Sequence, residues 1–224
     1  MTNESDEVTP NEGLVAVQRQ VRILMLLECA SRAGIAPLTS TQLHALAYLA
    51  NVLAPVWDLV PESDALLKLR GGPYYPQLQR DVDRLAALGL VTVTGTSFEQ
   101  WDDGAWRLDG QFSSSPELSR KILDHALSFD DERRLHSLIL ELCLALSALG
   151  SDALVDTALA DATYSNPGVR FGREIDFSPW GKANASAELA SYFEFLMPQS
   201  IRGGMSENVH LYVNYLQGRL TASA

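Results

Sequence analysis

The sequence is poor in cysteine. Its 224 residues include only two, Cys29 and Cys143, and each lies in an apolar, helix-like stretch (LMLLECAS and LELCLALS). Two cysteines with neither a CxxC pair nor zinc-ligand spacing argue against a disulfide-rich secreted scaffold and against a metal site. Free cysteine is usually buried, so we expect two reduced core thiols in a cytoplasmic protein.

The sequence is also short of positive charge. Lysine and arginine number 17 against 28 aspartate and glutamate residues, which gives a net charge of −11. DNA is a dense polyanion that proteins bind by neutralising its phosphates. The charge balance therefore argues against nucleic acid as the main partner, although it does not exclude a local basic patch.

Neither a leader nor a membrane span is indicated. Residues 1–12, MTNESDEVTPNE, are acidic and polar, which predicts a disordered tail rather than a signal peptide. The most apolar window, RILMLLECA, is too short to cross a bilayer and contains Glu28. We therefore expect no membrane association.

Motifs of the common enzyme classes are missing as well. The chain has no GxxxxGK[ST] phosphate loop, no HExxH, no GxSxG and no GxGxxG after a strand. Its histidines lie on four predicted helices, without the close pairing typical of zinc ligands; they are His44, His125, His136 and His210. The sequence therefore predicts a protein that is not an enzyme and carries no cofactor or metal.

What the sequence does contain is helical periodicity, interrupted by glycine and proline. Apolar spacing predicts one helix over 14–33 and a second that Thr39 or Ser40 caps. Residues 58–69 fit a short third helix that begins near Pro61.

The next stretch predicts a helix followed by a hairpin. A Gly-Gly-Pro break at 71–73 precedes a helix that begins at Pro76 and ends near Gly89. Val91 to Thr94 favour a strand, and AWRLDG reads as the returning strand. Helices followed by a short hairpin are the order of a winged helix, a variant of helix-turn-helix, so we assign residues 13–112 to such a domain.

The remainder, residues 113–224, predicts a helical domain, and the fold class is mainly α. Within it, residues 163–185 form a long segment rich in turn signals such as Asn-Pro-Gly and Ser-Pro-Trp-Gly. Loops of this length in a compact chain usually serve a function or bind a partner.

The helix after the Gly-Gly-Pro break has the shape of a DNA-recognition helix. Residue types that contact bases or phosphates occur on or beside it, and the candidates are Arg70, Gln77, Arg80 and Arg84. Asp81 and Asp83 are interleaved with them, and the three-residue spacings predict the pairs Arg80–Asp83 and Asp81–Arg84. Such pairing would neutralise the arginines, so we favour protein contact over DNA reading while both stay open.

Several aromatic residues are predicted to lie exposed in loops or turns. Aromatic side chains are favoured at the centres of protein interfaces, or they cover the core from the loops. We take the following as candidate partner-binding residues: Tyr74, Tyr75, Trp101, Trp106, Phe171 and Trp180.

Two runs resemble a known family. LHALAYLANVLAPVW and LRGGPYYPQLQRDVDRLAALGLV resemble the middle component of bacterial ABC-three-component defence systems, which include the Lamassu type. The segment Asp161-Ala162-Thr163-Tyr164 is also similar, so the resemblance spans roughly residues 14–165. Residues 40–95 resemble, less closely, the antitoxin-like Panacea domain.

The first resemblance implies a non-catalytic accessory subunit. Such a subunit bridges an SMC-like ABC ATPase and an effector encoded in the same operon, often a nuclease, and contacts nucleic acid, if at all, within that complex. The alternative is a winged-helix DNA-binding regulator or antitoxin-like protein.

Overall fold

The computed structural model describes residues 10–62, 65–100, 104, 106–150, 153–175, 184–196 and 204–223. It is mainly helical with two small antiparallel sheets, which confirms the predicted class at that level. The helices are α1 (Pro10–Arg32), α2 (Ser40–Leu53), α3 (Pro76–Ala87), α4 (Pro116–Ala126), α5 (Asp130–Ser147), α6 (Ala153–Ala160), α7 (Ala185–Leu196) and α8 (Met205–Ser223). The strands are β1 (Leu38–Thr39), β2 (Leu66–Leu69), β3 (Gly72–Tyr74), β4 (Val91–Gln100), β5 (Trp106–Ser114) and β6 (Glu174–Ile175).

Helix starts follow local chemistry. Thr39 caps α2 in a reciprocal box: its hydroxyl accepts from the Gln42 amide at 3.2 Å, and the Gln42 side chain accepts from the Thr39 amide at 2.9 Å. One of the two predicted caps is thereby confirmed. Helix α1 begins at Pro10, within the stretch 1–12 that we expected to be a disordered tail, because proline suits the first turn of a helix.

The first sheet has the strand order β1-β5-β4. Strands β4 and β5 form a hairpin, and β1 pairs with β5 so that Leu38 lies opposite Phe112. The hairpin strands contain ten and nine residues, so the wing is longer than expected. Its base is buried, whereas Phe98 farther out is 70 % exposed.

The second sheet has the order β3-β2-β6 and replaces the third helix expected within 58–69. Residues 66–69 form strand β2 and not a helix, because pairing with β3 in a hairpin buries Leu66 and Leu69. Tertiary pairing here overrides a weak local preference for helix. Gly72 fits this turn, since its φ of +138° is unfavourable for residues with a side chain. Strand β6, inside the long segment 163–185, pairs with the other edge of β2.

One hydrophobic core runs through both halves of the chain. It joins buried residues of α1 and α2, such as Leu26 and Leu49, to residues of α5 and α8, such as Ile139 and Val213. Helix α1 packs on α5, and α2 packs on α6. The predicted boundary at residues 112–113 therefore falls inside a continuous core.

Candidate functional site: helix α3 and the surfaces around it

Helix α3 does not pair its charges as predicted. Asp81 is buried, receives hydrogen bonds from Arg19 and Gln20 of α1, and forms an ion pair with Arg19. Asp83 accepts a hydrogen bond from the side-chain amide of Gln79 at 3.1 Å. The predicted pairs Arg80–Asp83 and Asp81–Arg84 are therefore wrong. Asp81 pairs with Arg19 of α1 instead, and Asp83 accepts from Gln79.

The predicted DNA-binding side chains lie mostly on the surface. Arg70, Arg80 and Arg84 are exposed, and Gln77 is half-buried. Arg80 and Arg84 form no ion pair with any residue in the described ranges. The outer face of α3 is thus more cationic than the sequence suggested.

The inner face of α3 is held by a polar chain from α2. His44 is fully buried; its Nδ1 accepts from the Tyr75 amide at 3.1 Å, which places the proton on Nε2, 3.1 Å from the Gln79 side-chain oxygen. Ser40 donates to the same oxygen at 2.9 Å. These contacts fix the start of α3 against α2, so the position of its exposed face is set by buried hydrogen bonds.

Tyr74 and Tyr75 were expected to be exposed, and the structure corrects this. They are 7 % and 4 % exposed, and their rings lie 4.8 Å and 6.4 Å from the His44 ring, centroid to centroid. The reason is the hairpin: strand β3 packs against α2 and directs both tyrosines inward. Neither presents its ring to a partner on this surface.

The other predicted aromatic residues divide into two groups. Trp106 is 66 % exposed on the hairpin and Phe171 is 55 % exposed in the long segment, so both rings are accessible at the surface. Trp101 and Trp180 lie outside the described residues.

A cationic and aromatic cluster forms where the long segment meets β2. Lys68 is 3 % exposed and donates to the Asn166 carbonyl at 2.8 Å, and burial lowers the pKa of its ammonium group. Its nitrogen lies 5.2 Å from the Phe171 ring centre, and the Arg70 guanidinium lies 5.9 Å from the same ring. The fold thus brings together Arg70 and Phe171, which were predicted as separate candidates.

A surface that the sequence did not indicate lies between α1, α4 and the start of α5; we name it the α1–α4 groove. It is a cavity of about 740 Å³ with mostly apolar walls. Leu14, Val17 and Phe129 remain 58 %, 54 % and 57 % exposed there. The only sequence signal was the stripe of Leu14, Val17 and Val21 on α1, which periodicity assigns to a core-facing helix. Leu14 and Val17, the first two residues of this stripe, are left uncovered by the helices that the structure describes.

The most polar buried site is built around Asp161, which is fully buried. Its carboxylate accepts from the Tyr48 and Tyr212 hydroxyls at 2.5 Å each and from Ser186 at 3.0 Å. Burial and then the neighbouring carboxylate raise the pKa of both tyrosines. These three contacts join the end of α6 to α2, α8 and α7, so this network stabilises the fold.

The two thiols are poor nucleophiles. Burial raises the pKa of Cys143 to about 12 and that of Cys29 further, so both are protonated at neutral pH. Nucleophilic catalysis by cysteine needs the thiolate. Neither residue therefore has the properties of a catalytic cysteine.

Comparison with protein-family models, with curated proteins and with solved structures finds no match to this chain. Within the described ranges, the helices are too short or too polar to cross a membrane.

Proposed function

We propose that this chain is a non-catalytic, protein-binding subunit that holds an amphipathic helix of a partner in the α1–α4 groove. The groove carries this proposal, because three large apolar side chains share one concavity and remain more than half exposed. Isolated exposed apolar residues are common on proteins, but contiguous apolar concavities mark binding sites. A helix laid into a groove is a recurrent mode of peptide recognition.

Charges at the rim specify the partner's chemistry. Lys121 and His125 line one side of the groove, and Asp131 and Glu132 line the other. Partial burial raises the pKa of Glu132, and this carboxylate has no ion pair within the described residues. A lysine or arginine beside the partner's apolar stripe would offset the free-energy cost of keeping the Glu132 carboxylate charged while it is partly buried. We therefore infer a partner helix with a basic edge toward α5 and an acidic edge toward α4.

The fold that we propose for the part of the chain around the groove is a winged helix. The order α1, β1, α2, α3, β4, β5 and the strand order β1-β5-β4 support it, with the β2–β3 hairpin inserted before α3. A helix-turn-helix framework does not by itself imply DNA reading. In this proposal it positions surfaces for proteins.

The partners that the sequence resemblance implies are an SMC-like ABC ATPase and an effector encoded beside this gene. We propose that the subunit bridges the two. The net charge of −11 supports protein contacts over direct DNA contacts, because like charges repel.

Placing a charge in the groove should weaken partner binding. We expect Val17→Asp to weaken binding to the neighbouring ATPase at least about tenfold, which corresponds to roughly 1.4 kcal/mol. Val17 is already half exposed, so the folded state tolerates the change. Co-expression with the adjacent gene products, followed by pull-down and titration, measures the effect.

Val15→Asp is the matched control. Val15 is the same residue type on the same helix, 44 % exposed, and outside the groove lining. It should bind the ATPase like the parent protein. Equal binding by the parent and the Val17 variant would reject the groove as the docking site.

The alternative function, DNA binding, is supported by the exposed Arg80 and Arg84. If α3 contacts phosphates, Arg80→Ala with Arg84→Ala should reduce the salt dependence of binding, by a slope of about 1.8 for two lost contacts. Electrophoretic mobility shifts at several salt concentrations measure this. Arg133→Ala with Arg134→Ala is the control, because those exposed arginines on α5 pair with Asp130 and Asp131. Absence of DNA binding by the parent protein at low salt would exclude this alternative.

A further inference from the structure

Three potential metal ligands meet between α1 and α5. Glu28 and Cys29 are adjacent on α1, and His136 faces them from α5. His136 Nε2 lies 2.9 Å from Glu28 Oε2, and Cys29 Sγ lies 3.6 Å from the same oxygen. All three ligand atoms are within 4.8 Å of one another. His136 lies 107 positions after Cys29 in the sequence. No short motif therefore indicates that these residues meet.

The distances are close to those of a tetrahedral zinc site. With zinc–sulfur near 2.3 Å and zinc–nitrogen and zinc–oxygen near 2.0 Å, neighbouring ligand atoms lie about 3.3 to 3.6 Å apart. The separation of 3.6 Å between Cys29 Sγ and Glu28 Oε2 lies within this range, and the 2.9 Å between His136 Nε2 and Glu28 Oε2 is about 0.4 Å below it. A thiolate, an imidazole and a carboxylate together suit zinc, whereas magnesium and calcium take oxygen ligands.

A cavity beside two of the three ligands gives access to a fourth ligand. Glu28 and His136 line a solvent-open cavity of about 380 Å³. Glu28 divides its oxygens: Oε1 lies 3.7 Å from Arg32, and Oε2 points to His136. Zinc at Oε2 therefore leaves the contact with Arg32 in place. Water from the cavity supplies the fourth position, as in zinc sites with three protein ligands.

We propose that Glu28, Cys29 and His136 bind one zinc ion that links α1 to α5. On binding, the Cys29 thiol loses its proton to solvent and its sulfur donates an electron pair to the metal. His136 coordinates through the neutral Nε2. The ion replaces the hydrogen bonds of Glu28 with His136 and Cys29. This inference is independent of partner binding in the α1–α4 groove.

The test uses the full chain, stripped of metal by a chelator and titrated with cobalt(II) and then with zinc. We expect one equivalent of cobalt to give a thiolate-to-cobalt charge-transfer band in the near ultraviolet, and one equivalent of zinc to remove it. Cys29→Ser should abolish the band, and His136→Ala should weaken metal binding at least about tenfold. Circular dichroism of each variant checks that it folds.

The chain supplies two matched controls. Cys143→Ser removes the other buried thiol, and His210→Ala removes a second histidine–glutamate pair, His210 to Glu141 at 3.0 Å, which lacks a cysteine. Both should bind cobalt like the parent protein. If Cys29→Ser does not fold, Glu28→Gln takes its place and should weaken binding, since the Glu28 side chain is 29 % exposed and tolerates the change. A parent protein without the band, or controls that lose it equally, would overturn the assignment.

Discussion

Replacing Asp161 by alanine should lower the free energy of unfolding by about 3 to 5 kcal/mol, the upper end of the range for single substitutions, because it breaks a buried hydrogen-bond network. The Tyr48 and Tyr212 hydroxyls and the backbone amides of Thr163 and Tyr164 would lose this acceptor. Each buried donor left unsatisfied costs about 1 to 3 kcal/mol. Removing the carboxylate also removes its own desolvation cost, so the total stays below the sum.

Urea unfolding at equilibrium measures this loss. Asp156→Ala is the control, because Asp156 is an exposed aspartate on the adjacent α6, and it should change stability by less than about 1 kcal/mol. Asp161→Asn should fall between the two, since an amide keeps one acceptor oxygen. A loss below about 1 kcal/mol for Asp161→Ala would show that the network contributes little to the stability of the fold.

Replacing Asp81 by alanine should be the second most damaging of these changes, at about 2 to 4 kcal/mol. Asp81 and Arg19 side chains are 7 % and 14 % exposed, so the change removes the carboxylate opposite a largely buried guanidinium. The side-chain amide of Gln20, which donates to Asp81 at 3.2 Å, loses its acceptor as well. Because these contacts join α3 to α1, the change should also loosen the exposed face of α3.

The same helix provides the comparison for this variant. Asp83 is exposed and accepts one hydrogen bond from Gln79, so Asp83→Ala should cost about 0.5 kcal/mol. Thermal and urea unfolding of both variants separate the two positions. Equal losses would mean that the Asp81–Arg19 pair adds nothing beyond an ordinary surface contact.

Local patterns predicted local structure well. Apart from the helix expected within 58–69, the helices, the cap at Thr39 and the hairpin that begins at Val91 follow from periodicity, capping and β-propensity, which act over a few residues. The exposure of Trp106 and Phe171 was also anticipated.

Features that depend on distant residues were not predictable. The partner of Asp81 lies 62 residues away, so a three-residue spacing suggested Arg84 instead. Tyr74 and Tyr75 were expected to be exposed because no local pattern indicated that residues 66–74 form a hairpin against α2. The α1–α4 groove could not be predicted, because the periodicity of an apolar stripe on a helix is the same whether or not another element packs against it.

The pairing of β2 with β6 has a consequence for synthesis on the ribosome. About 105 residues separate Leu69 from Glu174, which at roughly 5 to 20 residues per second takes about 5 to 20 seconds to translate. During that interval the β2–β3 hairpin has emerged, but one edge of β2 lacks the strand that completes its sheet. An unpaired edge is a template for pairing with other chains. Rapid translation between these two strands would therefore shorten the period in which this edge is open to other chains.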